Sequence, residues 1–177
     1  MSALDIDTLL ASRIGLPDIT RIVAWVGEDT ARRDLLLDKA LSAARRTSVN
    51  ALWVMTHLPD HFDEWLLSLR PILIDALLSA TDTAKRRLLL ELLRHQEYAP
   101  DDIRTDLLDY CLAQINAESQ PYAIRCFSLY LSFKMCRHYP ELIAELSLRL
   151  DMLSQTTLSP GLSSALRQTR RNISRLP

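Results

Sequence analysis

Glycine is almost missing from this chain, with three residues in 177. Sandwiches and barrels turn tightly many times, and glycine supplies the positive φ that such turns require. Valine is scarce as well, while leucine and alanine dominate, so local propensity favours helix over strand nearly everywhere. Long hydrophobic runs are also lacking. None reaches the roughly 18–20 residues that cross a bilayer, which argues against a membrane role.

Charge of one sign is lacking too. The formal net charge is -1, so no global field draws the protein onto nucleic acid or an anionic membrane. The three cysteines, Cys111, Cys126 and Cys136, are odd in number, have no CxxC spacing and sit inside apolar helical runs. That pattern suits reduced, buried thiols of a cytosolic protein. The opening MSALDIDTLL has acids where a signal peptide needs a basic segment. A cytoplasmic protein of bacterial type is expected. No glycine-rich phosphate loop, Ser-His-Asp set or paired-carboxylate geometry can be proposed. The four histidines, His57, His61, His95 and His138, are widely separated. No enzyme, cofactor or metal is therefore expected.

What is present is helical periodicity. Hydrophobic residues make up 48% and charged residues 24%, which is ordinary globular composition, and the length suits one domain over 1–177. Nearly every segment repeats apolar residues at i, i+3, i+4 and i+7. The pattern places a first helix at 3–13, a second capped by Asp18 and ending at Gly27, and a third at 29–44. Thr47 or Ser48 opens a fourth, which ends at Leu58-Pro59. The stretch 62–79 is one helix kinked at Pro71, or two helices with Pro71 starting the second; the kink is preferred. Helices at 84–96, 101–116, 121–138 and 141–155 follow, and Pro160 opens the last. In 121–138, apolar residues leave only a thin polar line through Arg125, Ser128 and Ser132, so this helix must be covered on several sides.

Three segments align, at 49–78, 86–115 and 124–153, each a helix, a proline-bearing break and a second helix. Asn50, Arg87 and Arg125 fall at matching places, at steps of 37 and 38 residues. A degenerate unit at 18–44 carries AWV where the next carries LWV. Two helices per unit of this length are the signature of α-solenoids. The arrangement resembles HEAT or armadillo repeats. It is most similar to short bacterial HEAT-like proteins, through Ala51-Leu52-Trp53-Val54, Lys85-Arg86-Arg87-Leu88, Tyr122-Ala123-Ile124-Arg125, Tyr139-Pro140-Glu141-Leu142 and Glu145-Leu146, with a closing arginine-bearing helix. A weaker similarity runs to DNA-alkylation-repeat proteins. The resemblance implies an all-α, right-handed α-α superhelix. Its units would be a degenerate repeat at 18–44, repeats at 47–79, 83–116 and 121–155, and a basic capping helix at 160–176.

Several residues stand out as candidates. Matching positions in a repeat stack form a ladder, so Asn50, Arg87 and Arg125 mark a possible binding surface. Two arginines in register can grip a carboxylate or phosphate, although pairing with acids such as Glu91, Asp106 or Glu118 is preferred. Arg167, Arg170, Arg171 and Arg175 lie in 160–177 with no acid, leaving a net -5 elsewhere. They cap the array with a solvated outer face, which is preferred, neutralise acids on the previous helix, or contact an anionic partner. His57 and His61 flank Pro59, so they mark a loop rather than a metal pair. Trp25 and Trp53 share a repeat position and are expected in the core, and Trp65 is expected to be partly exposed. The favoured function is a scaffold that holds a protein or peptide. The alternative is a nucleic-acid-binding module of the alkylation-repeat type, which requires arginines from several repeats on one face with an aromatic among them.

Overall fold

The computed structural model describes residues 4–177, so the expected helix start at residue 3 lies outside the described residues. Among the described residues there are eleven α-helices, two short 3-10 turns and no strand. The chain divides into two compact units, with the boundary between Leu92 and Leu93, inside the helix α7 (Thr83–His95).

The first unit contains α1 (Ile6–Ala11), α2 (Leu16–Val26), α3 (Thr30–Leu41), α4 (Arg45–Met55), α5 (Asp63–Ser68), α6 (Arg70–Ser79) and the start of α7. Its centre is α4, which packs against α1, α2 and α3 and buries Ala51, Leu52, Val54 and Met55. On the helices packed against it, Leu10, Ile22, Leu36 and Ala40 are likewise without solvent exposure. The helix ends explain themselves locally. Asp5 accepts the Thr8 amide and Asp29 accepts the Arg32 amide, each satisfying a first-turn donor. Gly27 closes α2 at φ 44°, a conformation in which a side chain is strained.

Three expectations in this unit need correction. Asp18 does not cap α2. The helix starts at Leu16, and Asp18 lies in its first turn, where Oδ2 accepts the Gly15 amide at 3.0 Å. Pro17 is harmless there, because first-turn amides have no partner in the helix. The fourth helix opens at Arg45 rather than at Thr47 or Ser48, and Ser48 turns inward to donate to the Ala40 carbonyl. The stretch 62–79 is two helices, not one kinked helix. Pro71 has no amide to offer the Leu67 carbonyl, so the ladder breaks and α5 gives way to α6 at Leu69. The Leu69 amide tightens the end of α5 through Leu66 and Trp65 carbonyls, and its own carbonyl accepts from Leu73.

The second unit contains the end of α7, a 3-10 turn at Pro100–Asp102, α8 (Thr105–Ile115), α9 (Tyr122–Cys136), α10 (Pro140–Ser154) and α11 (Pro160–Ile173). Pro100–Asp102 was expected to begin α8. It forms a separate turn, closed by Asp102 Oδ2 accepting the Ala99 amide at 3.0 Å. The centre of this unit is α9, which packs against α8, α10 and α11, as its apolar girth requires. Its polar line is the surprise. Arg125, Ser128 and Ser132 are buried, while Phe127, Tyr130 and Phe133 are half-exposed. Small serines let neighbouring helices approach closely where bulky rings would hold them apart, so the side of α9 that looked outward from its composition faces in.

Candidate functional site

The matched ladder positions do not share a surface. Asn50 is buried, and its Nδ2 donates to the Leu10 carbonyl at 2.8 Å and the Ser12 carbonyl at 2.9 Å. These groups end α1, where the last carbonyls have no partner within the helix. Arg125 is only 2% exposed, and its Nε donates to the Ile115 carbonyl at 3.0 Å, at the end of α8. Each residue therefore reaches from the central helix of its unit to the C-terminus of a neighbouring helix. The preferred pairing with acids is replaced by pairing with backbone carbonyls, whose partial negative charge suits a donor. Arg87 departs from the pattern and is exposed on α7.

Arg125 also lines a polar cleft of about 480 Å³, shared with Glu118, Tyr122, Gln155, Thr156 and Thr157. The cleft lies at the start of α9. That helix has no side-chain cap, so the first-turn amides of Tyr122, Ala123 and Ile124 are unclaimed by any side chain. Arg125 Nη2 is buried without a protein acceptor. A guanidinium out of water with no carboxylate beside it is costly, because burial weakens solvation faster than one carbonyl restores it. Thr156 turns its hydroxyl back to the Leu153 carbonyl, whereas Thr157 and Gln155 are exposed.

The remaining arginine candidates lie on α11. Its buried face is Leu162, Ala165, Leu166 and Thr169, with Ile173 and Leu176 half-buried. Arg170 projects to the side and pairs with Asp151 of α10 at 2.7 Å. Arg167 and Arg171 point away from the packed face, and Arg167 meets only Ser163 within its own helix. On α10, Leu148 is exposed to 67% and Met152 to 59%, one turn apart. Missed in the sequence, this pair had a signal: apolar residues at i and i+4 opposite the buried Leu146, Leu150 and Leu153.

Other candidates resolve as structure. His57 rests on the Trp53 carbonyl, and His61 sits in the 3-10 turn after Pro59 with Glu28 3.3 Å away. His138 meets the Tyr98 carbonyl at 2.7 Å. Trp25 and Trp53 are half-buried rather than in the core. Arg32 lies 5.1 Å above the Trp25 ring, and the edge of His57 meets Trp53. Trp65 is half-exposed. Cys111 and Cys136 are buried and Cys126 is half-buried, all unpaired. Burial pushes the Cys111 thiol well up, and pushes Cys136 up to about 12.

No described helix is long and apolar enough to cross a membrane. The family model described as HEAT repeat domain matches residues 6–174. No curated protein and no solved structure matches the chain.

Proposed function

Because the chain belongs to the HEAT repeat family, we propose that it is a cytoplasmic, non-enzymatic scaffold that holds a protein or peptide partner. One observation carries the reading: the exposed pair Leu148 and Met152 on α10, in a unit whose last helix, α11, exposes Arg167 and Arg171. Large apolar side chains at adjacent turns of one helix are a common mark of an interaction surface. Exposed arginine adds reach and charge without burying an unpaired acid. The unit's thiols are held protonated, and its buried guanidinium already serves a helix end.

The nucleic-acid reading rests on the same outward arginines, which are joined by Arg175 past the end of α11. Against it, Arg125 is turned inward and Arg170 is neutralised by Asp151. Few arginines therefore remain for phosphates on this unit. The discriminating experiment compares Leu148→Asp/Met152→Asp with Arg167→Glu/Arg171→Glu, measuring stoichiometric partners by native mass spectrometry and duplex retardation in gels. Scaffold function requires that the first double variant lose a protein partner. Retardation of DNA that falls steeply with salt and vanishes in the second variant would favour the alternative.

A further inference from the structure

Several features invite a role and fail to carry one. The apolar stripe on α10 belongs to the function just proposed, and the thiols are shielded. At the start of α9, Arg125 already answers the Ile115 carbonyl, and Glu118 cancels its charge in the cleft lining. A second cleft differs. It lies in the first unit, has a volume of about 500 Å³, and opens between the α3–α4 loop, the first turn of α4, the end of α6 and the start of α7. That volume is in the range of small-ligand sites.

We propose that this cleft binds a phosphomonoester, held by the Lys85 ammonium and the Arg45 guanidinium. Two stretches supply its lining, and a local excess of positive charge comes with them. From Ser42 to Val49 and from Ala76 to Arg86 there are four cations, Arg45, Arg46, Lys85 and Arg86, against one acid, Asp82. The chain as a whole is at -1, so this excess is local.

Asp82 does not cancel the site; it organises it. Its Oδ1 accepts the Lys85 amide at 2.9 Å and so caps α7, and its Oδ2 accepts Arg45 Nε. Both Nη groups of Arg45 and the amine of Lys85 are left without a partner among the described residues. The Arg45 side chain is 71% exposed, so its pair with Asp82 is weakly held and leaves the fork available to a stronger anion. Hydroxyls add to the donors. Ser42 Oγ accepts the Ala44 amide, which leaves its own hydrogen free to donate, and Thr81 lies across the cleft on the α6–α7 loop.

Donor count and charge select the ligand. A phosphomonoester brings a charge of about -1.5 to -2 and three strong acceptor oxygens, which match an ammonium, two Nη groups and two hydroxyls. A carboxylate brings one charge and two oxygens and leaves part of this set unanswered. A diester backbone needs cations spread along a groove, whereas Arg45 and Lys85 converge on one cleft. The phosphate is carried either by a phosphorylated side chain of a partner or by a small phosphate ester. Neither source requires the surface on α10.

The test is amide NMR of the full chain titrated with O-phosphoserine, with serine, sodium acetate and sodium chloride at matched ionic strength. Phosphoserine should shift the amides of Ser42 to Arg45 and Ala80 to Lys85 saturably, and should bind at least tenfold tighter than acetate. Lys85→Gln and Arg45→Gln, neither in the core, should each weaken it roughly tenfold through loss of a charge-assisted donor. Both variants should melt close to the parent chain. No saturable shift at these amides, acetate binding as tight as phosphoserine, or an affinity unmoved by Lys85→Gln overturns the proposal. Retardation of duplex DNA that Lys85→Gln abolishes overturns the monoester assignment. A blocked tetrapeptide bearing phosphoserine separates the sources: tighter binding than free phosphoserine assigns the site to a phosphorylated partner, and weaker binding assigns it to a small ester.

Discussion

Replacing Asn50 with alanine tests the claim that this position secures a helix end and not a ligand. The amide makes two hydrogen bonds, at 2.8 and 2.9 Å, to the carbonyls of Leu10 and Ser12. Leu10 is fully buried, so its carbonyl gains no water when the donor is removed, whereas Ser12 is half-exposed and is rehydrated in part. One stranded acceptor and one weakened one cost about 2–3 kcal/mol together. For a chain of this length that lowers Tm by about 4–10 °C. Asn50→Asp is the sharper variant. It sets a carboxylate against two carbonyl oxygens, so it should be worse than alanine at neutral pH. Burial and those dipoles raise the pKa of the new acid. Its destabilisation is therefore relieved as pH falls and the acid becomes a donor, the reverse of an ordinary salt-bridged aspartate. Urea melts followed by circular dichroism give the magnitude, and amide exchange over Leu9 to Ile14 shows whether α1 frays first. A cost for Asn50→Ala below about 0.5 kcal/mol, or an Asn50→Asp variant with a flat pH response, refutes the reasoning.

Other consequences follow from the same structure. If the polar line of α9 faces inward, Ser128→Ala is tolerated while Ser128→Leu overpacks the contact and costs about 1–3 kcal/mol in denaturant melts. Thiol labelling at neutral pH should modify Cys126 first, with Cys111 and Cys136 reacting only at the rate of unfolding; fast labelling of all three would contradict their burial. Lys134 and then Arg137 hold the Glu97 carboxyl below its usual 4.5. A depressed acid contributes stability above its unfolded pKa and loses it as pH falls through the folded value. Glu97→Gln should therefore cost a little at pH 7 and nothing at pH 3, read from paired thermal melts. An equal cost at both values would show that the pair is not the cause.

Much of the helical order was legible because leucine spacing and proline punctuation are local signals. Pro140 and Pro160 stand at the first turns of α10 and α11, and Gly27 stands just past α2, as rules for helix ends require. The misread boundaries involve competition between local signals. Asp18 is a good cap residue, yet Gly15 with Pro17 started the helix earlier, and Asp18 reached back to the Gly15 amide instead. The proline at 71 allowed two outcomes that the pattern could not separate. The candidate site was legible only in part. The repeat alignment paired Asn50 and Arg125 with Arg87, and the first two each serve a helix end in their own unit while Arg87 is exposed. It could not show that both face inward, because polarity normally marks the solvent side and burial depends on neighbours distant in sequence. The cleft at α9 joins Glu118 and Tyr122 to Thr156 and Thr157, more than thirty residues on, and no local pattern announces such a meeting.

The most direct test of the scaffold account is site-specific photo-crosslinking in cells from a benzoylphenylalanine placed at Met152. The account expects one discrete protein adduct, abolished by Leu148→Asp and weakened by Arg167→Glu/Arg171→Glu. Adducts to nucleic acid, or none while the same probe at an unrelated exposed residue such as Arg87 captures a partner, would contradict it.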